Sequence, residues 1–228
     1  MAVGFDLDGT LYDHGEFVGG AYKKVAAWVS KHCGVPEEGF FQTIFSDWRE
    51  RSSRCSTIFA DALHLYGVYS ESNERSCVLG YRSYEPEMLT PFCGVENCFD
   101  DLKEKGVKIG LLTDGQSDVQ RNKIRALGLG HHFDHIVITG DLGRSFYKPH
   151  EAGFKAIAKG LEVSLPNLIY VGDRPDVDIQ PSRNLGYTPL RILHGEYASE
   201  QSEVACFEFS SFEMLSRHLI DTFLVKCV

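Results

Sequence analysis

The chain is punctuated by short apolar runs, each ending at an acidic, glycine or hydroxyl residue. Ala2-Val3-Gly4-Phe5 runs into Asp6-Leu7-Asp8-Gly9, and Val107 to Leu112 runs into Thr113. His135 to Ile138 precedes Thr139, and Leu168 to Val171 precedes Gly172-Asp173. Leu190 to Leu193 and Ala205 to Phe209 are weaker examples. Runs of this length, bounded by turn formers, are too short for helices and suit strands buried on both faces. Helical patterns lie between them. Cys98 to Lys105 is stopped by Gly106, Asp118 to Leu127 by Gly128, and Glu151 to Ala158 by Gly160. Phe212 to Phe223 carries Leu215, Leu219 and Phe223 on one face. Strand alternating with helix predicts an α/β chain with a doubly wound, Rossmann-like parallel sheet.

One long segment breaks the alternation. From Gly15 to Leu89 the patterns are helical throughout. Val18, Tyr22, Val25, Ala26 and Val29 share one helical face. Phe40, Phe41, Ile44 and Trp48 mark a second helix, Ile58, Ala62 and Leu65 a third, and Cys77 to Tyr84 a fourth. The expected organisation is a core of residues 1–14 and 90–228, with an all-helical cap inserted at 15–89. Trp28, Trp48, Phe40 and Phe41 read as the interior of that cap.

Composition narrows the function. Hydrophobic residues make up 43% and charged residues 24% of the 228 residues, as in ordinary globular proteins. No apolar run approaches the roughly 18–20 residues that span a bilayer. The N-terminus shows no basic start followed by a long apolar stretch, so a cytoplasmic location is expected. The net charge is −9 and no Lys/Arg cluster stands out, which argues against a nucleic-acid partner. The seven cysteines, Cys33, Cys55, Cys77, Cys93, Cys98, Cys206 and Cys227, include no CxxC pair and read as thiols rather than as disulfide or zinc ligands.

In doubly wound sheets, ligands bind beyond the carboxyl ends of the strands. Asp6 and Asp8 stand there after the first strand, Thr113 and Asp114 after the second, and Asp173 after the fourth, with Asp178 shortly beyond. Lys148-Pro149 precedes the helix at Glu151. A single such Asp would read as a turn or cap residue. Carboxylates gathered at one sheet edge repel unless a cation sits among them, and magnesium prefers hard oxygen ligands. The Thr113 hydroxyl, the Lys148 ammonium and turn N–H groups near Gly9 and Gly115 suit phosphate oxygens. A carboxylate nucleophile attacking phosphorus gives an aspartyl-phosphate.

These segments resemble the haloacid dehalogenase-like hydrolases, in the branch with a helical cap. The similarity rests on Asp6-Leu7-Asp8-Gly9-Thr10-Leu11-Tyr12-Asp13, on Leu111-Leu112-Thr113-Asp114-Gly115, on Lys148-Pro149 and on Gly172-Asp173-Arg174-Pro175-Asp176-Val177-Asp178-Ile179. The linker from Leu127-Gly128-Leu129 to Phe133-Asp134 is similar as well. The resemblance implies that Asp6 is the nucleophile and a magnesium ligand. It makes Asp8 the general acid and base, with its carbonyl on the metal. Thr113 and Lys148 would hold the phosphoryl group, with Asp114 and Gly115 beside them. Asp173 would be a third metal ligand, and Asp178 would orient a metal-bound water. Dehalogenases of the family lack an acid at the position of Asp8, so dehalogenation is disfavoured.

The implied activity is magnesium-dependent hydrolysis of a small phosphomonoester, with a phosphorylated metabolite as partner. A sugar-phosphate mutase and a non-catalytic phosphate-binding protein remain alternatives. Gly143 to Tyr147 makes a longer lead-in to Lys148 than the family pattern, so Arg144 or Lys123 is a candidate substitute. His131, His132 and His135 read as a surface cluster, and Arg174 as either a solvated or a functional arginine. Arg49, Arg51 and Arg54 are candidate substrate-facing residues of the cap.

Overall fold

The computed structural model describes residues 1–225; the side chain of Phe223 and all of Cys227 lie outside the described part. The chain divides into two compact units, Met1–His14 with Met88–Val228, and Gly15–Glu87.

The first unit is built on six strands: β1 (Ala2–Phe5), β2 (Lys108–Thr113), β3 (His135–Ile138), β4 (Leu168–Gly172), β5 (Thr188–Ile192) and β6 (Phe207–Phe209). They form one sheet in the order β3-β2-β1-β4-β5-β6, and every pairing is parallel. β1 is central and wholly buried, which explains its uninterrupted apolar sequence. Its neighbouring residues Gly4 and Phe5 face opposite ways. Phe5 packs on Phe99 and Phe212, with ring centroids 5.0 and 6.5 Å away. Those rings belong to helices on one face of the sheet, Val95–Glu104 and Phe212–Val225. Gly4 faces Ile157, on the helix Glu151–Gly160. The ring of Tyr170, register partner of Gly4 on β4, lies against that glycine, and its hydroxyl donates to Leu112 O at 3.2 Å. Helices thus cover both faces, and the strand ends are left for chemistry.

The second unit is helical: α1 (His14–Cys33), whose first residue belongs to the sheet unit, α2 (Glu37–Arg51), α3 (Ile58–Leu65) and α4 (Glu71–Arg82). Val25, Val29, Phe40, Ile44, Trp48, Leu63 and Cys77 make its interior, with Trp28 and Phe41 packed against them. α4 starts earlier than the Cys77 pattern suggests. Ser70 caps it by accepting from Asn73 N at 3.1 Å, so the first turn is polar and carries no apolar signal.

The remaining helices of the sheet unit are α5 (Val95–Glu104), α6 (Ser117–Leu127), α7 (Thr139–Leu142), α8 (Glu151–Gly160), α9 (Gln180–Asn184) and α10 (Phe212–Val225). α5 also starts earlier than expected, just after Gly94. Among the described residues no helix is long and apolar enough to cross a membrane, and none of the six described cysteines forms a disulfide.

Candidate active site

Asp6 is the first residue beyond β1, and its N–H extends the ladder by donating to Val171 O at 2.9 Å. The chain then turns on itself. Leu7 O accepts from Thr10 N at 3.3 Å and Leu11 N at 3.0 Å. Gly9 sits in this turn at φ 78°, and a Cβ there would stand 2.4 Å from Asp173 Oδ2. Only glycine therefore permits both the turn and the approach of Asp173. Asp173 follows β4 and is fully buried. The π turn Pro175–Ile179 brings Asp178 back to the same place, where its Oδ2 accepts from Arg174 N at 3.2 Å. Gly172 leaves room for it, since a Cβ would lie 2.5 Å from that of Asp178.

Carboxylate oxygens of Asp6, Asp173 and Asp178 lie within 4.8 Å of one another, all buried. Lys148 is wedged among them, donating to Asp6 Oδ1 at 2.6 Å and Asp178 Oδ1 at 2.7 Å. Tyr170 Oη is 3.5 Å from the same ammonium. The lead-in from Gly143 is absorbed by the single 3₁₀ turn Arg144–Phe146, so Lys148 reaches Asp6 after all. Neither candidate substitute takes its place: Arg144 is exposed, and Lys123 pairs with Asp8.

Three carboxylates and one ammonium are an unbalanced buried set. Burial pushes Asp6 up to about 7, against the pull of Lys148, with Asp178 and Asp8 adding to the rise. Burial, then Asp178 and Asp6, drive Asp173 well above the usual carboxylate range. Burial opposes the charge on Lys148, but Asp178 and Asp6 outweigh it and hold the ammonium firmly protonated. Asp173 Oδ2 is buried with no hydrogen-bond partner. An orphaned carboxylate oxygen beside two further acids fits a hard divalent cation such as magnesium.

Thr113 ends β2 with its hydroxyl buried and without a partner, ready to donate to a bound oxyanion. Asp114 is committed elsewhere. Its Oδ1 accepts from Thr139 Oγ1 at 2.7 Å and from Lys148 N at 3.0 Å. That oxygen braces the Lys148 segment. Gly115 adopts φ 134° with Gln120 packed over it, so its neighbourhood is shaped by α6.

Asp8 stands apart from the acid cluster in its own pocket. Lys123 Nζ donates to its two oxygens at 2.9 and 2.8 Å, and Tyr12 Oη donates to Oδ1 at 2.5 Å. Gln120 Nε2 lies 3.4 Å from Oδ2. His14 Nε2 is 3.9 Å from Oδ1, and His14 Nδ1 is 3.4 Å from Glu196 Oε1. Burial alone would raise Asp8, but Lys123, His14 and Tyr12 outweigh it and hold the carboxyl well below the usual range.

The profile of the haloacid dehalogenase-like hydrolases matches residues 1–186. The chain belongs to that family. This hydrolase is 29% identical over 214 residues to a glyceraldehyde 3-phosphate phosphatase of Methanocaldococcus jannaschii, covering 92% of the chain and 93% of the relative. It is 33% identical over 138 residues to a phosphoserine phosphatase of Thermus thermophilus, covering 60% of the chain and 54% of that relative. The crystal structure of a HAD phosphatase from Thermococcus onnurineus superposes with a TM-score of 0.68 at 20% identity, covering 96% and 97% of the two chains. That likeness speaks for the fold.

Sequence reasoning passed over Gln120 and Tyr170 in this hydrolase's site, and offered Lys123 only as a stand-in for Lys148. Gln120 and Lys123 lie three apart on α6, and both are buried among Val119, Ile124 and Leu127. The available signal was a lysine and a glutamine falling on the apolar side of a helix. Tyr170 looked like a plain strand residue. The histidine cluster differs from the expectation too: His132 is buried against Phe99, with ring centroids 5.4 Å apart, while His131 is exposed. The Arg174 guanidinium lies over Tyr197, 4.6 Å from the ring centroid, and its Nη2 donates to Asp176 Oδ2 at 3.3 Å.

Proposed function

We propose that this hydrolase is a magnesium-dependent phosphatase acting on a small phosphomonoester through a phosphoryl group carried on Asp6. One observation supports this above the rest. A buried carboxylate at a strand end is held by Lys148 at 2.6 Å within an acid cluster, and a second acid two residues on occupies a separate donor-lined pocket. Two carboxyl groups in separate environments can take separate roles, and in the metal-free protein it is Asp6 whose proton is held and Asp8 that is ionised.

The residues take these parts. An Asp6 oxygen bonds to phosphorus as the bond to the leaving oxygen breaks, and Asp8, ionised in the resting site, first takes up a proton from solvent and passes it to that oxygen. Asp8, again a carboxylate, then takes a proton from water. The water oxygen bonds to phosphorus, the Asp6 ester bond breaks, and inorganic phosphate leaves. Thr113 donates to a phosphoryl oxygen, and Lys148 offsets charge between Asp6 and the phosphoryl group. Asp6, Asp173 and the Asp8 carbonyl would hold magnesium, with Asp178 alongside. The ion supplies charge neutralisation for the phosphoryl oxygens.

The substrate class we infer is a short phosphorylated metabolite, and the relatives' names point first to three-carbon phosphates. Residues 15–89 are proposed as the cap that selects it. Phosphate release from a panel of triose phosphates, phosphoserine, hexose phosphates and nucleotides tests the reading. Turnover of small phosphomonoesters with magnesium is expected. Silence across the panel, or conversion of a sugar phosphate without phosphate release, overturns it.

A further inference from the structure

We propose that Lys123 is a positioning residue that fixes the Asp8 carboxylate for water activation. This rests on the reading of Asp8 as the acid–base group.

The geometry is specific. Lys123 is 2% exposed, on a helix face otherwise given to Val119, Ile124 and Leu127. Burying an ammonium among such groups costs several kcal/mol unless a counter-charge is supplied. Asp8 supplies it, with Nζ within 2.9 Å of both carboxylate oxygens. A two-point contact fixes the carboxylate plane as well as its place. Tyr12 holds Oδ1, and Gln120 ties the same arrangement to the second strand end by donating to Asp114 O at 2.6 Å. Asp8 sits in a tight turn on β1's end, yet its orientation is set from α6. Removing the ammonium would leave the carboxylate with Tyr12 on one oxygen, Gln120 at 3.4 Å and His14 at 3.9 Å, without the two-point contact that fixes its plane, and freer to turn off the line of a water attacking phosphorus.

The step affected is the second half-reaction, in which the Asp6–phosphorus bond breaks and the water proton goes to Asp8. The first half-reaction with an aryl phosphate hardly needs Asp8, because the phenolate leaves unaided. Lys123→Met and 4-nitrophenyl phosphate in a rapid-mixing instrument separate the two. Expected is a burst of nitrophenolate matching the enzyme concentration, then a slow phase. kcat should fall about 10- to 100-fold, a part of what general base catalysis is worth, with kcat/KM nearly unchanged. Equal falls in kcat and kcat/KM with no burst, or an unchanged kcat, overturn the proposal. Asp8→Asn in the same experiment must show the burst. If it keeps wild-type kcat, the reading of Asp8 fails. If it shows the burst and Lys123→Met does not, only the role of Lys123 fails. Should Lys123→Met not fold by circular dichroism, Lys123→Gln, which keeps one donor, gives the same decision.

Discussion

The two units bury different things. All the buried polar and charged side chains among the described residues fall in the sheet unit, from Asp6 and Thr10 to Lys148, Asp173, Asp178 and Arg191. The helical unit buries Phe40, Ile44, Trp48, Leu63 and their neighbours, and keeps its ions outside. Its best-connected charge, Arg51, reaches Asp47, Asp61 and Thr57 from an exposed position. Desolvating a charge is expensive, so buried ions need partners, and they gather at functional sites and in structural networks such as that of Arg191. The sheet unit carries electrostatic strain at one edge, and the helical unit is assembled by apolar packing.

The comparison breaks first at Asp6. Asp6→Asn should reduce phosphate release by about 10⁴-fold or more, as loss of a nucleophile does elsewhere. It should not unfold the protein, because one of three crowded carboxylates is neutralised. The sign of its pH effect is fixed. In metal-free protein, burial keeps Asp6 protonated up to about 7, whereas the unfolded chain releases that proton near 3.8. The folded state then binds the extra proton, so unfolding free energy falls as pH rises from about 4 to about 7. Asp6→Asn should remove that part of the slope in urea titrations made in chelator. A loss of structure together with activity would make the acid edge a scaffold.

Metal removal comes next. Chelator should stop turnover, and magnesium should restore it. Calcium should serve poorly, since it prefers longer bonds and more ligands. A readout independent of activity is the melting temperature. A ligand at 100 times its Kd stabilises by about 2.7 kcal/mol, so saturating magnesium should raise the Tm by several degrees. Asp173→Ala should abolish the rise. An unchanged rise in that variant would move the ion elsewhere.

How much of this was legible follows from the same contrast. The strands, Asp6, Asp8, Thr113 and Asp173 were visible because an apolar run ending in a carboxylate or a hydroxyl contradicts its own surroundings. Lys148 was visible through the following proline. Gln120 was not, because α6 alternates polar and apolar residues, and Lys123 was visible only as a stand-in for Lys148, since nothing in the sequence pairs it with Asp8. Asp114 was legible as a strand-end residue, but not its hold on the Lys148 segment. Only the fold shows its oxygen turned to Lys148 N. The start of α4 was missed because a polar first turn gives no periodic signal.

The third test acts on the helical unit. Phe40→Ala should cost about 3–5 kcal/mol of stability, the usual range for a buried phenylalanine. kcat on an aryl phosphate, per folded molecule, should stay near wild type, because no buried charge is touched. A fall in kcat comparable with that of Asp8→Asn would show that the two units do not divide packing from chemistry.

The smallest effect uses the thiols as reporters of each interior. Cys93 is exposed, whereas burial pushes Cys77 in the helical unit and Cys98 in the sheet unit up to about 12. A disulfide reagent at pH 8 attacks only thiolates, so Cys93 should label quickly. The other two wait for local opening. The order in which they follow measures the comparison itself. The helical unit runs from Gly15 to Glu87, and so small a unit buries a lower fraction of its surface than a larger one does. It holds together through side-chain packing, without a sheet. Cys77 should therefore react before Cys98, with magnesium slowing Cys98 further and leaving Cys77 unchanged. Mass spectrometry of the labelled peptides reads the order. Cys98 reacting first would place the weaker interior under the charged edge, and the helical unit would be the rigid partner.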